Sequence, residues 1–386
     1  FDCRVNSERF AHEAASVMAA NGIHVRIFDA LRPTPELSFA VKHYGTTAGL
    51  NITASHNPKE YNGYKVYGED GAQMSPEDTA EVVKYISDIT DYLSVKETTI
   101  DAIKSKNNPQ SLVVIGKSFQ NRYYDELVRL SLSKKAVRKV RKHIKIVYTP
   151  VHGSGYVPVM TILKKIGIKP VVVEEQVAPD GNFPTVVVPN PEFKETLSMG
   201  IALADKVNAD VVFGTDPDCD RLGVAIRNNE GEFETLTGNQ TGILLLDYIL
   251  QRLKAEDKLP ANGVVVKSFV STGMAKLICN GYNVELVETP VGFKFIGEKI
   301  KEYEKTGEKT FLFGFEESCG YLRGTHARDK DAVVASMLFA EMTCYYRFIG
   351  KSVYKRLCEI YDKYGYVLDY TDSIKYSGLD AMKEMN

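Results

Sequence analysis

A helical segment that ends at a glycine, one spacer residue and a short β-branched strand occur in that order three times in this chain. The copies run from Ser16 to Ile27 with a turn at Asn21-Gly22, from Thr161 to Val173 with a turn at Gly167, and from Met274 to Leu286 with a turn at Asn280-Gly281. Each strand ends near an acidic residue that a proline follows: Asp29 and Pro33, Glu175 and Pro179, Glu288 and Pro290. Glycine closes a helix at low steric cost, and a unit repeated at long intervals points to related domains in series. Chance likeness among ordinary α/β units is the competing explanation.

Further apolar runs read as buried strands: Leu50 to Ile52, Ile144 to Tyr148, Val211 to Phe213, Val264 to Val266 and Phe311 to Phe313. Strands that alternate with amphipathic helices build mixed or parallel α/β sheets. The fold class expected is therefore α/β, with three similar domains and mixed sheets. A length of 386 residues suits two to four domains. The polar stretch from Leu93 to Gln110 reads as a linker or surface helix, Phe119 to Leu132 as a helix, and the basic run Lys134 to Lys145 as a solvated face near the first boundary. The boundaries expected are 1–128, 129–236 and 237–362.

Composition excludes some partners. Formal charge is −2, so neither nucleic acid nor an anionic membrane is favoured. No apolar run reaches 18 residues and no signal peptide is visible. Six scattered cysteines without a C-x-x-C pair fit a reducing cytoplasm rather than a zinc site. A monomer or weak dimer is expected. The abrupt start at Phe1 and the close at Asn386 lead to the expectation of a chain truncated at both ends.

In α/β sheets, ligands collect at loops beyond the carboxyl ends of strands. The most acidic such loop is Gly214-Thr215-Asp216-Pro217-Asp218-Cys219-Asp220-Arg221. In an extended segment its three carboxylates face one side. At ~5 Å and an effective dielectric of ~20, each pair repels by ~3 kcal/mol, which a cation removes. Hard oxygen ligands suit Mg²⁺. An unliganded Asp-Pro-Asp turn is the plain alternative. A calcium-binding EF-hand loop fails, because its sixth and twelfth positions would be Arg221 and Arg227. Arg221 can fork onto a phosphoryl group.

Thr53-Ala54-Ser55-His56-Asn57-Pro58 follows a strand. Ser55 is a candidate nucleophile or phospho-acceptor beside His56, or a plain serine turn. Lys65, in Asn62-Gly63-Tyr64-Lys65, is a candidate point charge or proton carrier. Gly314-Phe315-Glu316-Glu317-Ser318-Cys319-Gly320-Tyr321 offers Glu316 and Ser318 to the hydroxyls of a sugar. His326, Arg328 and Lys330 could receive a phosphate, or pair with Asp329 and Asp331.

Taken in order, Thr-Ala-Ser-His-Asn-Pro, Asn-Gly-Tyr-Lys, Asp-Pro-Asp-Cys-Asp-Arg and Gly-Phe-Glu-Glu-Ser resemble the α-D-phosphohexomutases, nearest the phosphoglucomutase/phosphopentomutase branch. The likeness runs from about Phe1 to Tyr364. It implies four α/β domains around a central cleft, with the fourth largely absent here and 363–386 as its start. It implies that Ser55 is the phosphoserine. Asp216, Asp218 and Asp220 would bind Mg²⁺ together with a phosphate oxygen on Ser55. Lys65 and His56 would lie near the transfer, with Lys65 carrying the proton. Glu316 and Ser318 would hold the sugar, and Arg328 and Lys330 would meet the substrate. The activity implied is interconversion of sugar 1- and 6-phosphates through a sugar 1,6-bisphosphate, with glucose, mannose and pentose phosphates as the candidate substrates. Two departures stand out: no Arg-x-Ser-Gly-Thr sequence occurs (Ser377-Gly378 has other flanks), and an early Arg-bearing loop is missing. Slow turnover is expected from them. The rival readings are an aspartate-nucleophile phosphatase and a non-catalytic sugar-phosphate module.

Overall fold

A computed structural model describes residues 1–100 and 112–370. The chain forms three α/β units in sequence. In the first, β1 (Val25–Phe28) pairs in parallel with β4 (Leu112–Ile115), and β2 (Ala48–Ile52) forms an antiparallel hairpin with β3 (Tyr64–Gly68). In the second, a mixed sheet has the order β6 (Val171–Val172), β5 (Ile146–Thr149), β7 (Val211–Thr215), β8 (Leu222–Arg227), β9 (Phe233–Leu236). In the third, the order is β11 (Glu285–Thr289), β10 (Gly263–Ser268), β12 (Thr310–Glu316), β13 (Gly320–Leu322). The second and third sheets share one plan. Three parallel strands are followed by an antiparallel return directly after the loop that matters: β7 to β8 around Asp216–Arg221, and β12 to β13 around Glu317–Cys319.

The helix–glycine–strand units are present, with one shift. The helix Ser7–Ala20 gives way to Gly22 at φ +83°, and Tyr156–Ile166 to Gly167 at φ +92°. The third helix, Met274–Tyr282, runs through Asn280-Gly281 and closes at Asn283, whose φ is +57°. Gly281 serves packing instead: a Cβ there would sit 2.6 Å from the Tyr364 hydroxyl. The helix Lys117–Arg129 runs through the boundary expected after 128. The basic run is a solvated face: all its lysines and arginines are exposed. It opens as the helix Lys134–Val140, which buries Ala136 and Val137. Of the stretch 93–110, residues 101–110 lie outside the described residues, as does Ser377-Gly378.

One long helix, Ala332–Phe348, is buried along almost its whole length and packs in the main core with Tyr123, Leu127, Val159, Phe213 and Leu246 from the other elements. Its N-cap is Asp331, whose Oδ1 accepts from the N–H groups of Val333 and Val334. Among the described residues, no single helix is long and apolar enough to cross a membrane. All six cysteines are free.

Candidate active site

Asp216 follows β7 directly, and the loop to β8 is tight. Cys219 adopts φ +53°, and the N–H groups of Asp220 and Arg221 both donate to Asp216 Oδ1 at 3.0 Å. That fold-back buries the three carboxylates almost completely and brings one oxygen from each within 4.8 Å of the others. Burial, then Asp220 and Asp218, raises the Asp216 carboxyl well above its usual range. Burial, then Asp218, pushes Asp220 up to about 6. Burial acts on Asp218 in the same sense, but Lys65 and hydrogen-bond donors outweigh it and hold that carboxyl below its usual range.

The first domain supplies the partners. Ser55 follows β2 in a left-handed conformation (φ +52°), with its N–H donating to Thr53 Oγ1 at 2.9 Å. The turn expected on plain grounds is therefore present, and it aims the hydroxyl. Ser55 Oγ donates to Asp216 Oδ2 at 3.0 Å and lies 3.3 Å from His56 Nδ1. Burial, then Arg221, drives the His56 imidazole down to about 3, so the ring is neutral near pH 7. Lys65 on β3 reaches Asp218 Oδ2 at 3.0 Å and Asp220 Oδ2 at 3.9 Å. Burial works against its charge, but Asp218 and Asp220 win and raise its ammonium to about 12.

The third domain closes the group. Lys330 Nζ lies 3.4 Å from Asp220 Oδ2 and 3.5 Å from Glu316 Oε1. Glu316 ends β12, and Ser318 is half-buried in the following turn. Gly320 leaves room for both side chains: a Cβ there would stand 2.5 Å from the Lys330 side chain and 2.8 Å from Glu316 Oε1, and would push them aside. The Leu222 N–H donates to the Cys319 carbonyl at 3.0 Å, which ties the acidic loop to the Glu316 loop.

Three side chains expected near a phosphate are otherwise engaged. Arg221 pairs with Glu192 at 2.5 Å. The His326 side chain, 5% exposed, lies 2.8 Å from Asp331 Oδ2. Arg328, 7% exposed, pairs with Glu304 and stands 3.8 Å from Asp70. Lys330 is turned toward the acidic loop, while His326 is held by Asp331 of its own segment and Arg328 by Glu304 of another element.

Several contributors carry no obvious local signature. The Arg4 guanidinium donates to the carbonyls of Ser55 (2.6 Å), Asn57 (2.5 Å), Pro58 (2.9 Å) and Tyr61 (2.9 Å), and so holds the Ser55 loop at four points. Asp2 accepts from Thr53 Oγ1 at 2.7 Å at the same place. Tyr67 donates to Asp329 at 2.8 Å, and Glu317 accepts from Ser268 at 2.8 Å and Ser271 at 3.1 Å. An Asp-x-Arg pair before a helix, as at Asp2 and Arg4, is too common a pattern to flag.

The donor set fits a hard cation. Asp218 Oδ1 and both oxygens of Asp220 are buried without a hydrogen-bond partner, and buried carboxylate oxygens seldom stay unpaired.

Three family models match in succession: phosphoglucomutase/phosphomannomutase α/β/α domain I over residues 1–93, domain II over 121–231 and domain III over 237–364. A phosphoglucomutase of Staphylococcus saprophyticus is 36% identical over 387 aligned positions, covering 100% of this chain and 68% of the relative. The phosphoglucomutase-type parafusin of Paramecium, solved in an open form, superposes with a TM-score of 0.71 at 17% identity, covering 95% of this chain and 66% of that one. An N-acetylphosphoglucosamine mutase of Aspergillus fumigatus, solved with GlcNAc-6P and magnesium, gives 0.54 at 14% identity, covering 90% and 77%. Three consecutive domain matches and an alignment along the whole chain place it in the phosphoglucomutase/phosphomannomutase family of the α-D-phosphohexomutases, sugar-phosphate mutases that act as intramolecular phosphotransferases.

Proposed function

We propose that this enzyme interconverts the 1- and 6-phosphates of a hexose, glucose above all, by passing a phosphoryl group through Ser55. The observation that carries the reading is the contact of Ser55 Oγ with Asp216 at 3.0 Å, which sets a turn-tip hydroxyl of one domain against three buried carboxylates of the next. A phosphate on Ser55 adds a charge of about −1.5 to −2 to that group. Asp216, Asp218 and Asp220 are the residues that would hold Mg²⁺. When bound, the ion offsets this charge and withdraws electron density from phosphoryl oxygens.

The protein's own residues do the rest. The phosphoryl group leaves Ser55 Oγ for a hydroxyl of a sugar monophosphate, giving a sugar 1,6-bisphosphate, which also serves as activator. Lys65, kept as an ammonium by its carboxylate neighbours, supplies the proton to the departing Ser55 oxygen and is recharged by the proton that the attacking sugar hydroxyl gives up, so the step is proton-neutral. The bisphosphate turns over and Ser55 takes the other phosphate. Glu316 and Ser318 grip the sugar's hydroxyls in both orientations, and Lys330 meets the substrate from the same side. Arg221 contacts a substrate phosphate only by exchanging Glu192 for it. Domain breaks at the segments after residues 128 and 236 give each of the three loops a domain of its own. The setting we assign is cytoplasmic, with the chain as a monomer or weak dimer.

Intact-mass measurement tests the proposal. Incubation with a sugar bisphosphate adds one increment of ~80 Da, expected for a serine phosphate, that a sugar monophosphate removes and Ser55→Ala abolishes along with turnover. A phosphate that hydroxylamine releases would instead mark an aspartyl nucleophile. Sugar-phosphate binding without any increment would mark a binding module.

A further inference from the structure

Asp218 is gripped from the first domain by more than the charge of Lys65. The Thr34 N–H donates to the Asp218 carbonyl at 2.9 Å, and the Thr34 hydroxyl donates to Asp218 Oδ2 at 2.8 Å. The Asn51 side-chain amide donates to Thr34 Oγ1 at 2.7 Å. An amide N–H fills an acceptor site on that oxygen, so the hydroxyl's single proton is committed to the carboxylate. Thr34 and Asn51 are buried. Asn51 stands directly across β2 and β3 from Lys65, so both side chains leave the hairpin on one face; Lys65 reaches Asp218 Oδ2 directly, and Asn51 reaches it through the Thr34 hydroxyl. Asp218 Oδ2 thus has two donors, while Oδ1, equally buried, has none.

We infer that Thr34, oriented by Asn51, is a positioning residue that sets the rotation of the Asp218 carboxylate, so that one oxygen is spent on the interdomain bonds and the other is presented to the cation. The inference rests on the reading of Asp218 as a cation ligand. A carboxylate free to rotate would surrender that freedom on binding, and would offer the cation an oxygen already shared with a donor. The same two bonds register the acidic loop against the domain that carries Ser55.

Mg²⁺ titration of the full chain, followed by calorimetry and by the shift in thermal unfolding, tests the inference. Thr34→Val keeps the shape and removes the hydroxyl. Its Mg²⁺ affinity is expected to fall about tenfold, the scale of one hydrogen bond to a charged group. Thr34→Ser keeps the wild-type affinity, and excess Mg²⁺ restores the turnover of Thr34→Val. Thr34→Cys, with only a weak donor, falls between the two and reports on the same hydroxyl if the valine variant does not fold. A merely structural Thr34 would lower the unfolding midpoint in chelator but leave the Mg²⁺ midpoint unmoved, and that result overturns the inference. If Thr34→Val binds Mg²⁺ as wild type does while Asp218→Asn does not, the positioning role fails and Asp218 remains a ligand. If Asp218→Asn binds as wild type does, the ligand reading fails and takes this inference with it.

Discussion

Asp220→Asn should make the chelated protein more stable while removing its response to Mg²⁺. Asp220 is 1% exposed, neither of its oxygens has a hydrogen bond, and burial with Asp218 lifts its carboxyl from the ordinary 3.8 to about 6. A gap of roughly two units corresponds to ~3 kcal/mol between the protonation states. The folded chain holds this proton more tightly than the unfolded chain. Its stabilising contribution is therefore complete below the unfolded value, falls as pH rises, and is gone above about 6. At pH ~7.5 without a cation, the folded protein bears that ~3 kcal/mol as a penalty, and a neutral asparagine does not. With ~2–4 °C per kcal/mol for a domain of this size, the variant should melt ~6–12 °C above wild type in chelator. Near pH ~4, where the aspartate is itself protonated, the gap should close. Saturating Mg²⁺ should raise the wild-type midpoint and leave the variant's unchanged. Paired thermal melts at the two pH values, with chelator and with Mg²⁺, read all of this. A variant less stable than wild type in chelator at pH ~7.5, or a gain that ignores pH, would refute the electrostatic reasoning.

Two other substitutions probe the scaffold of the site. Arg4→Met removes four bonds to the Ser55 loop and leaves Asp2 buried without its cation, a loss on the order of 3–5 kcal/mol; limited proteolysis should then cut within 55–61, and turnover should fall at least tenfold. Gly238→Ala would place a Cβ 1.8 Å from the Glu317 carbonyl oxygen. It should cost ~1–3 kcal/mol and raise KM for sugar phosphate while the Mg²⁺ midpoint stays in place, as steady-state kinetics beside metal titration would show.

The strands and their closing loops were legible because hydrophobic periodicity is local. Val211–Phe213 followed by Asp216 can be read along the chain, and β7 with its acidic loop appears where that pattern puts it. The same holds for Phe311–Phe313 and Glu316. Glycine was read less well. Gly167 caps its helix, but Gly281 answers to Tyr364, more than 80 residues away, and no local rule reports such a contact. Cations were the hardest to place. Lys330 and Arg328 are two residues apart and equivalent on paper, yet one faces Asp220 and the other Glu304.

By itself, the sequence determined which chemistry was on offer: an acidic trio on one loop, a hydroxyl on another, a lysine on a hairpin, and three α/β units to carry them. Covalent order and period-two alternation impose those features before any domain docks. Only the tertiary structure decided that Ser55, Lys65 and Thr34 of the first domain reach Asp216 and Asp218 of the second, and that Arg4 holds the serine loop. Those contacts span 51 to 184 positions of chain. They depend on how separate sheets pack together, which no window of sequence contains.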